Sequence, residues 1–363
     1  MPLPDYVKLA LEGVTSYTAG ISDLLHTMTM TPSAPAFRLF SADQMCDPAD
    51  GSRLRDLSTA THTPVLVEEC LEALAVRPSE SYIDATIGLG GHAERILLAN
   101  APNGRLLGID ADPGAIRRSA ERLSRYGDRV VLVSGNFREI GGIAASRGFT
   151  GSAGLLFDLG MSSLQLSEAG RGFSFQFPAP LDMRMDPGLE RTAADLVNEL
   201  HEGDLVTLLQ RYGEEPAARH IARALVRRRP FRTTIELAAA IEAAAPRRGA
   251  RTHPATRTFQ ALRIAVNDEL GSLEQALAAS LTLLRTGGRL AAISFHSLED
   301  RIVKDFIRSE SRDCICPPAL PLCTCSHRAA LRSLRKSVIR PSFAETAANS
   351  RSRSARLRIA ERV

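Results

Sequence analysis

Features that would assign the chain to a membrane-spanning or secreted class are missing from its 363 residues. No apolar run approaches the roughly 18 residues that a membrane span requires. The amino terminus lacks the basic start and apolar core of a secretory signal, and it is too acidic for a transit peptide. The sequence therefore predicts a cytoplasmic protein without a membrane partner.

Cysteine is scarce, and its distribution argues against a disulfide framework. Four of the six cysteines form two C-x-C pairs in the string CICPPALPLCTC, residues 314–325, whereas disulfide scaffolds disperse their cysteines. Four thiolates on one loop can form a tetrahedral zinc site, although each pair is more tightly spaced than the usual C-x₂₋₄-C. The candidate ligands of a structural zinc ion are Cys314, Cys316, Cys323 and Cys325. Free thiols or labile disulfides are the alternatives.

Charge is ordinary in amount but uneven along the chain. The charged fraction of 24% and the hydrophobic fraction of 44% are typical of globular proteins. The net charge of +4 divides into −3 for residues 1–57 and +7 for the remainder. Between Arg219 and Arg263 there are eleven arginines and two histidines against two acids. Charge of one sign favours a phosphate-contacting surface over a merely solvated helix face, and hence a nucleic-acid partner.

Strand-like and helical segments alternate in the first half of the chain. Strands are expected at 81–86, 105–109, 129–134 and 153–158, with helices near 91–100, 112–126 and 137–147. This alternation predicts an α/β fold with a parallel, doubly wound sheet. Helical segments without strands then fill 192–245, before a helix at 268–285 and a strand at 289–294 resume the pattern. The final segment, SARLRIAE, alternates like a strand and could pair at the edge of the sheet.

These changes of pattern divide the chain into three parts. Residues 1–57 are rich in Ser, Thr, Pro and Ala without clear periodicity, and we expect a poorly ordered extension there. Residues 58–163 and 268–363 are predicted to form one discontinuous α/β domain. Residues 164–267 are predicted to form an inserted helical domain.

The glycine-rich turn after the first strand indicates a ligand site. The string YIDATIGLGGHAERI, residues 82–96, places three glycines between a strand and a helix start, and glycine lets backbone N–H groups approach a ligand. Asp110 ends the second strand about 20 residues later, the spacing of an acid that binds ribose hydroxyls. Asp84 would repel a pyrophosphate and suits a cationic group, which favours S-adenosylmethionine over NAD. Tight packing of the turn is the alternative.

Longer motifs carry a family resemblance over residues 61–363. They include ATIGLGGH, GIDADP, QLSEAGRGFSF, PLDMRMDP, HPATRTFQALRIAVNDEL and GGRLAAISFHSLEDRIVK. The chain resembles the RsmH (MraW) family of bacterial 16S rRNA (cytosine-N4)-methyltransferases. It departs from the family pattern at Leu164, where proline is usual, and at Gly170, where an acid is common. Residues 1–57 have no counterpart in the resemblance.

The resemblance implies a Rossmann-like class I S-adenosylmethionine methyltransferase sheet, an inserted helical substrate-recognition domain and 16S rRNA of the small ribosomal subunit as partner. The cofactor residues it implies are Gly90, Gly91, His92, Asp110, Phe137, Asp158 and Gln165. Their chemistry agrees, because Asp110 suits the ribose diol and Phe137 offers an apolar face to adenine. Ordinary core packing is the alternative for Phe137, and helix capping is the alternative for Asp158.

Methyl transfer to the N4 amine of cytidine requires alignment and an acceptor for one proton. Asp158 and His296 are the candidate catalytic residues, although His296 could instead anchor a loop. An amino-methyltransferase acting on another nucleic acid is an alternative, but DNA enzymes often carry D/N/S-P-P-Y/F where Asp158 is followed by Leu-Gly-Met. A noncatalytic ribosome-assembly factor is a second alternative, but it would not need the glycines together with both acids.

Overall fold

The computed structural model describes residues 64–161, 165, 170–245, 253–317 and 322–363. The predicted extension, residues 1–57, and Leu164 lie outside these described residues. The described residues all belong to one unit, Ala60–Val363. Within these ranges, every helix is too short or too polar to cross a membrane.

The strands of the described chain form one sheet. They are β1 Ser81–Asp84, β2 Arg105–Asp110, β3 Val130–Ser134, β4 Ser152–Asp158, β5 Leu284–Ser294, β6 Leu331–Ser333 and β7 Arg356–Arg362. Their order is β3-β2-β1-β4-β5-β7-β6. The first five are parallel, and β7 is antiparallel to both neighbours. The predicted α/β fold with a Rossmann-like sheet is confirmed.

Helices connect these strands, and a run of helices separates β4 from β5. The described α-helices are α1 Val67–Leu74, α2 Gly91–Ala99, α3 Pro113–Leu123, α4 Ile140–Ser146, α5 Ala193–Glu199, α6 Glu202–Gly213, α7 Ala218–Arg228, α8 Thr234–Ala244, α9 Ala255–Asn267, α10 Glu269–Leu283, α11 Ser297–Glu310 and α12 Phe343–Ala348. Local signals set several starts. Thr192 and Asp195 form a capping box at α5, as do Thr233 and Glu236 at α8.

Two details of the predicted elements are wrong. The helix expected at 112–126 ends at Leu123, where a 3₁₀ segment, Ser124–Arg129, begins and contains Gly127 at φ 53°. The final strand, β7, does not lie at the edge of the sheet, because β6 pairs with it there. The three residues of β6 are too few to show the alternation by which a strand is recognised in sequence.

Three groups of buried apolar side chains form the core. Adjacent residues of β1 separate onto the two faces of the sheet: Ile83 packs with α10 and α11, and Tyr82 packs with α1 and α2. The third group has all its buried members between Phe173 and Leu262, in the segment that contains α5 to α9. The helical insertion therefore has a hydrophobic cluster of its own.

Two arginines of the basic segment serve this helical packing. Arg229 donates from Nε to the carbonyl oxygen of Val197 at 2.7 Å. It also donates from Nη2 to the carbonyl oxygen of Leu200. Arg263 is buried and forms a bidentate pair with Glu269, at 2.7 and 2.8 Å. The expected phosphate-contacting surface therefore excludes Arg229 and Arg263, because their guanidinium groups bind carbonyls and a carboxylate within the fold.

We predict that Arg229→Ala lowers the free energy of unfolding by about 1.5–3 kcal/mol, the usual contribution of hydrogen bonds to a charged group. The matched change Arg228→Ala alters the neighbouring arginine, which is exposed, and should stay within about 0.5 kcal/mol. Urea unfolding of both variants provides the measurement. Equal destabilisation would contradict a stabilising role for the hydrogen bonds of Arg229 to Val197 and Leu200.

Candidate functional site

A cleft opens where the parallel strands end. Residues at or just after the carboxyl ends of β1, β2, β4 and β5 line it, together with residues from other segments of the chain. Six of the seven predicted cofactor residues lie in its wall: Gly91, His92, Asp110, Phe137, Asp158 and Gln165. Gly90 does not line the cleft. It precedes α2 with φ 75°, and a Cβ atom there would lie 3.3 Å from Leu123, so its role is to shape the turn behind the cleft.

Asp110 is held by the backbone at the end of β2. Gly88 N–H donates to Oδ2 at 2.9 Å, and Asp112 N–H donates to Oδ1 at 2.9 Å. Burial raises the pKa of Asp110 to about 6, although both backbone hydrogen bonds oppose this shift. Each oxygen keeps acceptor capacity, so the carboxylate can accept hydrogen bonds from a vicinal diol.

Asp158 presents an unsatisfied acceptor. Its Oδ1 is buried and has no hydrogen-bond partner among the described residues. Burial, and then the charge of Glu299, raise its pKa to about 7. Its backbone N–H donates to Thr86 Oγ1 at 2.6 Å, which fixes the end of β4 against the turn after β1. A buried acceptor without a partner is costly, and a cationic or N–H-bearing ligand would satisfy it.

His92 is neutral, and its side chain faces Asp158. Its Nε2 lies 2.9 Å from the carbonyl oxygen of Val65, which can only accept, so Nε2 carries the proton. Burial lowers the pKa of His92. Its Nδ1 lies 3.5 Å from Asp158 Oδ2. Asp84, 1% exposed, does not line the cleft, so its effect on a cationic ligand would act through the field rather than through contact.

Phe137 and Gln165 also form part of the cleft wall. Phe137 packs edge-to-face on Phe157, with ring centroids 6.0 Å apart, while also lining the cleft. It therefore belongs both to the core and to the cleft. Gln165 is buried, and its Nε2 donates to Asp112 Oδ2 at 3.4 Å. Arg171 binds the same carboxylate.

His296 is placed differently from the other predicted residues. Its Nδ1 accepts from Glu299 N–H at 3.4 Å and caps α11, while Nε2 lies 3.1 Å from Glu299 Oε1 without hydrogen-bond geometry. His296 does not line the cleft, but its neighbours Phe295 and Glu299 do. The position of SFHSLEDR directly after β5 could have pointed to Glu299. Asn349 and Arg351 also line the cleft, and no sequence motif singled them out.

The four clustered cysteines converge in space. Their Sγ atoms all lie within 4.8 Å of one another, with 3.5 Å between Cys323 and Cys325 and 3.9 Å between Cys325 and Cys314. Thr324 N–H donates to Cys316 Sγ at 3.4 Å. Four sulfurs around one ion at about 2.3 Å would be a little under 4 Å apart, so this arrangement fits a tetrahedral zinc ion.

We predict that affinity for S-adenosylmethionine falls as the pH decreases from 7 to 5. Acidification through the pKa of about 6 replaces the Asp110 carboxylate, a charged acceptor, with a neutral group. Asp110→Asn cannot titrate there, so its affinity should be lower throughout and should fall less steeply. Calorimetry across this pH range tests both points. Parallel pH profiles for the two proteins would contradict the role of Asp110.

Comparisons with known proteins agree with this geometry. The family model described as the MraW methylase family matches residues 59–363. A ribosomal RNA small subunit methyltransferase H from Dehalococcoides mccartyi is 53% identical over 302 residues, covering 83% of this chain and 86% of that protein. Another, from Thermomicrobium roseum, is 51% identical over 313 residues, covering 85% of this chain and 96% of that protein. The chain belongs to the MraW methylase family.

Proposed function

We propose that this chain transfers the methyl group of S-adenosylmethionine to the exocyclic N4 of a cytidine in the decoding region of 16S rRNA. The observation that carries the proposal is that one cleft contains two carboxylates with free acceptor capacity. Asp110 can accept hydrogen bonds from a diol, and Asp158 Oδ1 has no hydrogen-bond partner among the described residues. The similar proteins named as small-subunit rRNA methyltransferases support the RNA substrate. This substrate would place the enzyme in the cytoplasm.

The cleft fits the parts of the cofactor. Asp110 would accept hydrogen bonds from the ribose hydroxyls, and Phe137 would contact the adenine. Gly91 and His92, at the start of α2, would lie beside the methionine portion, with Gln165 closing the wall. When bound, the cofactor supplies a methyl group already activated by its sulfonium sulfur.

Asp158 would orient and deprotonate the amine. Its Oδ1 would accept one N4–H of the cytosine and turn the nitrogen lone pair toward the methyl carbon. This carboxylate would take up the proton that the amine loses on methylation, and its pKa of about 7 suits a general base at neutral pH. His296 is the second candidate, but it would act through Glu299, because its own side chain does not line the cleft.

We propose that residues 164–267 recognise the RNA. Exposed arginines lie on and beside α7: Arg219, Arg223, Arg227, Arg228 and Arg232. Phosphate contacts of this kind position a nucleic acid, while a pocket reads the base. Met185 lines the cleft and belongs to the same segment, so the part of the chain that carries the basic helix also contributes to the cleft wall.

Nucleoside mass spectrometry tests the proposed reaction. We expect that deleting the gene removes N4-methylcytidine from small-subunit rRNA and that the unaltered gene restores it. Asp158→Asn keeps the size of the side chain but is a poor base, and we expect at least about a hundredfold slower methylation, the lower range of general-base contributions. Asp128→Asn, at an exposed position, is the matched control. Full restoration by both variants would exclude Asp158 as the base, and methylation at another base atom would contradict the N4 assignment.

We also propose that Cys314, Cys316, Cys323 and Cys325 bind one structural zinc ion. Their loop joins α11 to β6, and Pro317 removes a backbone donor within it. The sulfur positions support this more directly than the spacing does. A zinc ion here would fix the path of the chain into the edge strand.

Metal analysis of reduced protein should find about one zinc per chain, as a Cys₄ site requires. The double change Cys323→Ser, Cys325→Ser should abolish zinc binding and lower the melting temperature, yet keep the affinity for S-adenosylmethionine. A chelator added to the unaltered protein should reproduce the same loss of stability. Metal-free protein whose four thiols titrate freely would refute the site.

A further inference from the structure

The segment between residues 340 and 356, which we name the rim loop, is folded against the cleft. Ile339 and Leu357 exchange backbone hydrogen bonds of 3.1 and 2.9 Å, which close the loop at its base beside β7. Glu345 Oε1 accepts from Leu66 N–H at 2.8 Å, next to Val65 in the cleft wall. Within the loop, Asn349 and Arg351 themselves line the cleft. The rim loop therefore forms part of the wall of the cleft in which we propose that methyl transfer takes place.

All but one of the charged residues in and around the rim loop are positive. Between Arg328 and Arg358 there are nine Lys and Arg residues and a single acid, Glu345. That acid is engaged by Leu66 N–H, and Arg356 is paired with Asp300 at 3.0 Å. The side chains of Arg340, Arg351 and Arg353 are exposed. The surface that the rim loop presents is positive, as a phosphate-binding surface requires.

An aromatic side chain stands on the same loop. Phe343, the first residue of α12, is 90% exposed, the most of any exposed large hydrophobic side chain in the described residues. A lone exposed apolar residue is common in folded proteins. Here, however, the ring is three residues from Arg340 and stands on a loop bordering the cleft. Proteins that hold single-stranded nucleic acid combine these two elements, a positive track and a stacking platform.

We propose that the rim loop binds a single-stranded stretch of the RNA substrate, with one base stacked on Phe343 and phosphates contacted by Arg340 and Arg353. The inference rests on the proposed function and adds a substrate-binding surface apart from the arginines of α7. Bound there, an unpaired strand would be held at the mouth of the cleft while its target cytidine enters.

Fluorescence tests the stacking contact without any methylation. The chain contains no tryptophan, so Phe343→Trp introduces a single tryptophan, which can be excited selectively, at the proposed platform. We expect a short pyrimidine-rich RNA oligonucleotide to quench it, and added salt to reverse the quenching as binding weakens. Leu98→Trp, at a 51% exposed position on α2, is the control and should not respond. Anisotropy of a labelled RNA shows whether the RNA binds. If it binds, and the fluorescence of neither variant or of both variants is quenched, the inference is overturned.

Steady-state kinetics test the same surface during turnover. The double variant Phe343→Ala, Arg353→Glu should raise KM for small ribosomal subunits that lack the modification by roughly tenfold or more, since stacking alone is worth 1–3 kcal/mol per base. Its affinity for S-adenosylmethionine should not change. The control Leu98→Ala, Arg147→Glu also truncates one exposed apolar side chain and reverses one exposed arginine, and its kinetics should match the unaltered protein.

The outcomes separate this inference from the proposed function. If the unaltered protein does not methylate cytidine N4, the proposed function fails whatever the fluorescence shows. If it does methylate, and the rim-loop variant behaves like its control, the inference alone fails. A defect on intact subunits that disappears on extracted rRNA, without quenching, would mean that the rim loop binds a ribosomal protein, and this too would overturn the inference.

Discussion

The parallel pairing of β1 with β2 and β4 is the constraint on which the cleft depends. Asp84, the last residue of β1, is in register with Gly108 on one side and Leu156 on the other, so β2 and β4 each extend two residues beyond it, to Asp110 and Asp158. The chain stays bonded to its neighbours as it leaves them: Ala85 N–H donates to the carbonyl oxygen of Leu156, and Ile87 N–H to that of Ile109, each at 2.9 Å. Residues far apart in sequence therefore meet, and Asp110 and Asp158 end up on the two sides of the glycine turn.

Burial of carboxylates then sets the electrostatic character of the site. Desolvation is the largest cause of the raised pKa values of Asp84, Asp110 and Asp158, which lie at about 7, 6 and 7. Such groups are held near the point where charged and neutral forms balance, because the protein has removed water without supplying enough positive charge. A cationic ligand would favour their charged forms, whereas a pyrophosphate would be repelled. The burial that raises these pKa values would therefore also favour the sulfonium cofactor that we propose.

The position of the antiparallel strand β7 brings the segment that precedes it to the cleft. By pairing with β5 on one side and with β6 on the other, β7 places the carboxyl-terminal segment within the sheet, one strand from its edge. Asp300 on α11 binds Arg356 at 3.0 Å and Arg358 at 2.6 Å, which ties that helix to β7 across the layer. As a result, the rim loop, which leads into β7, reaches the cleft. The cysteine loop lies between α11 and β6.

Local signals in the sequence determined much of this protein. The alternation of strands and helices, the glycine turn, Asp110 at the end of β2 and the C-x-C pairs could all be recognised because each depends on residue types at a fixed spacing along the chain. The tertiary structure decided the rest. Arg229 and Arg263 look like surface charge in the sequence but bind groups within the fold, and His296 looks like a base but caps a helix. Arg351 looks like one arginine among many but lines the cleft. Composition and spacing report what a side chain is, whereas its partners are set by elements that pack together only when the whole sheet has formed.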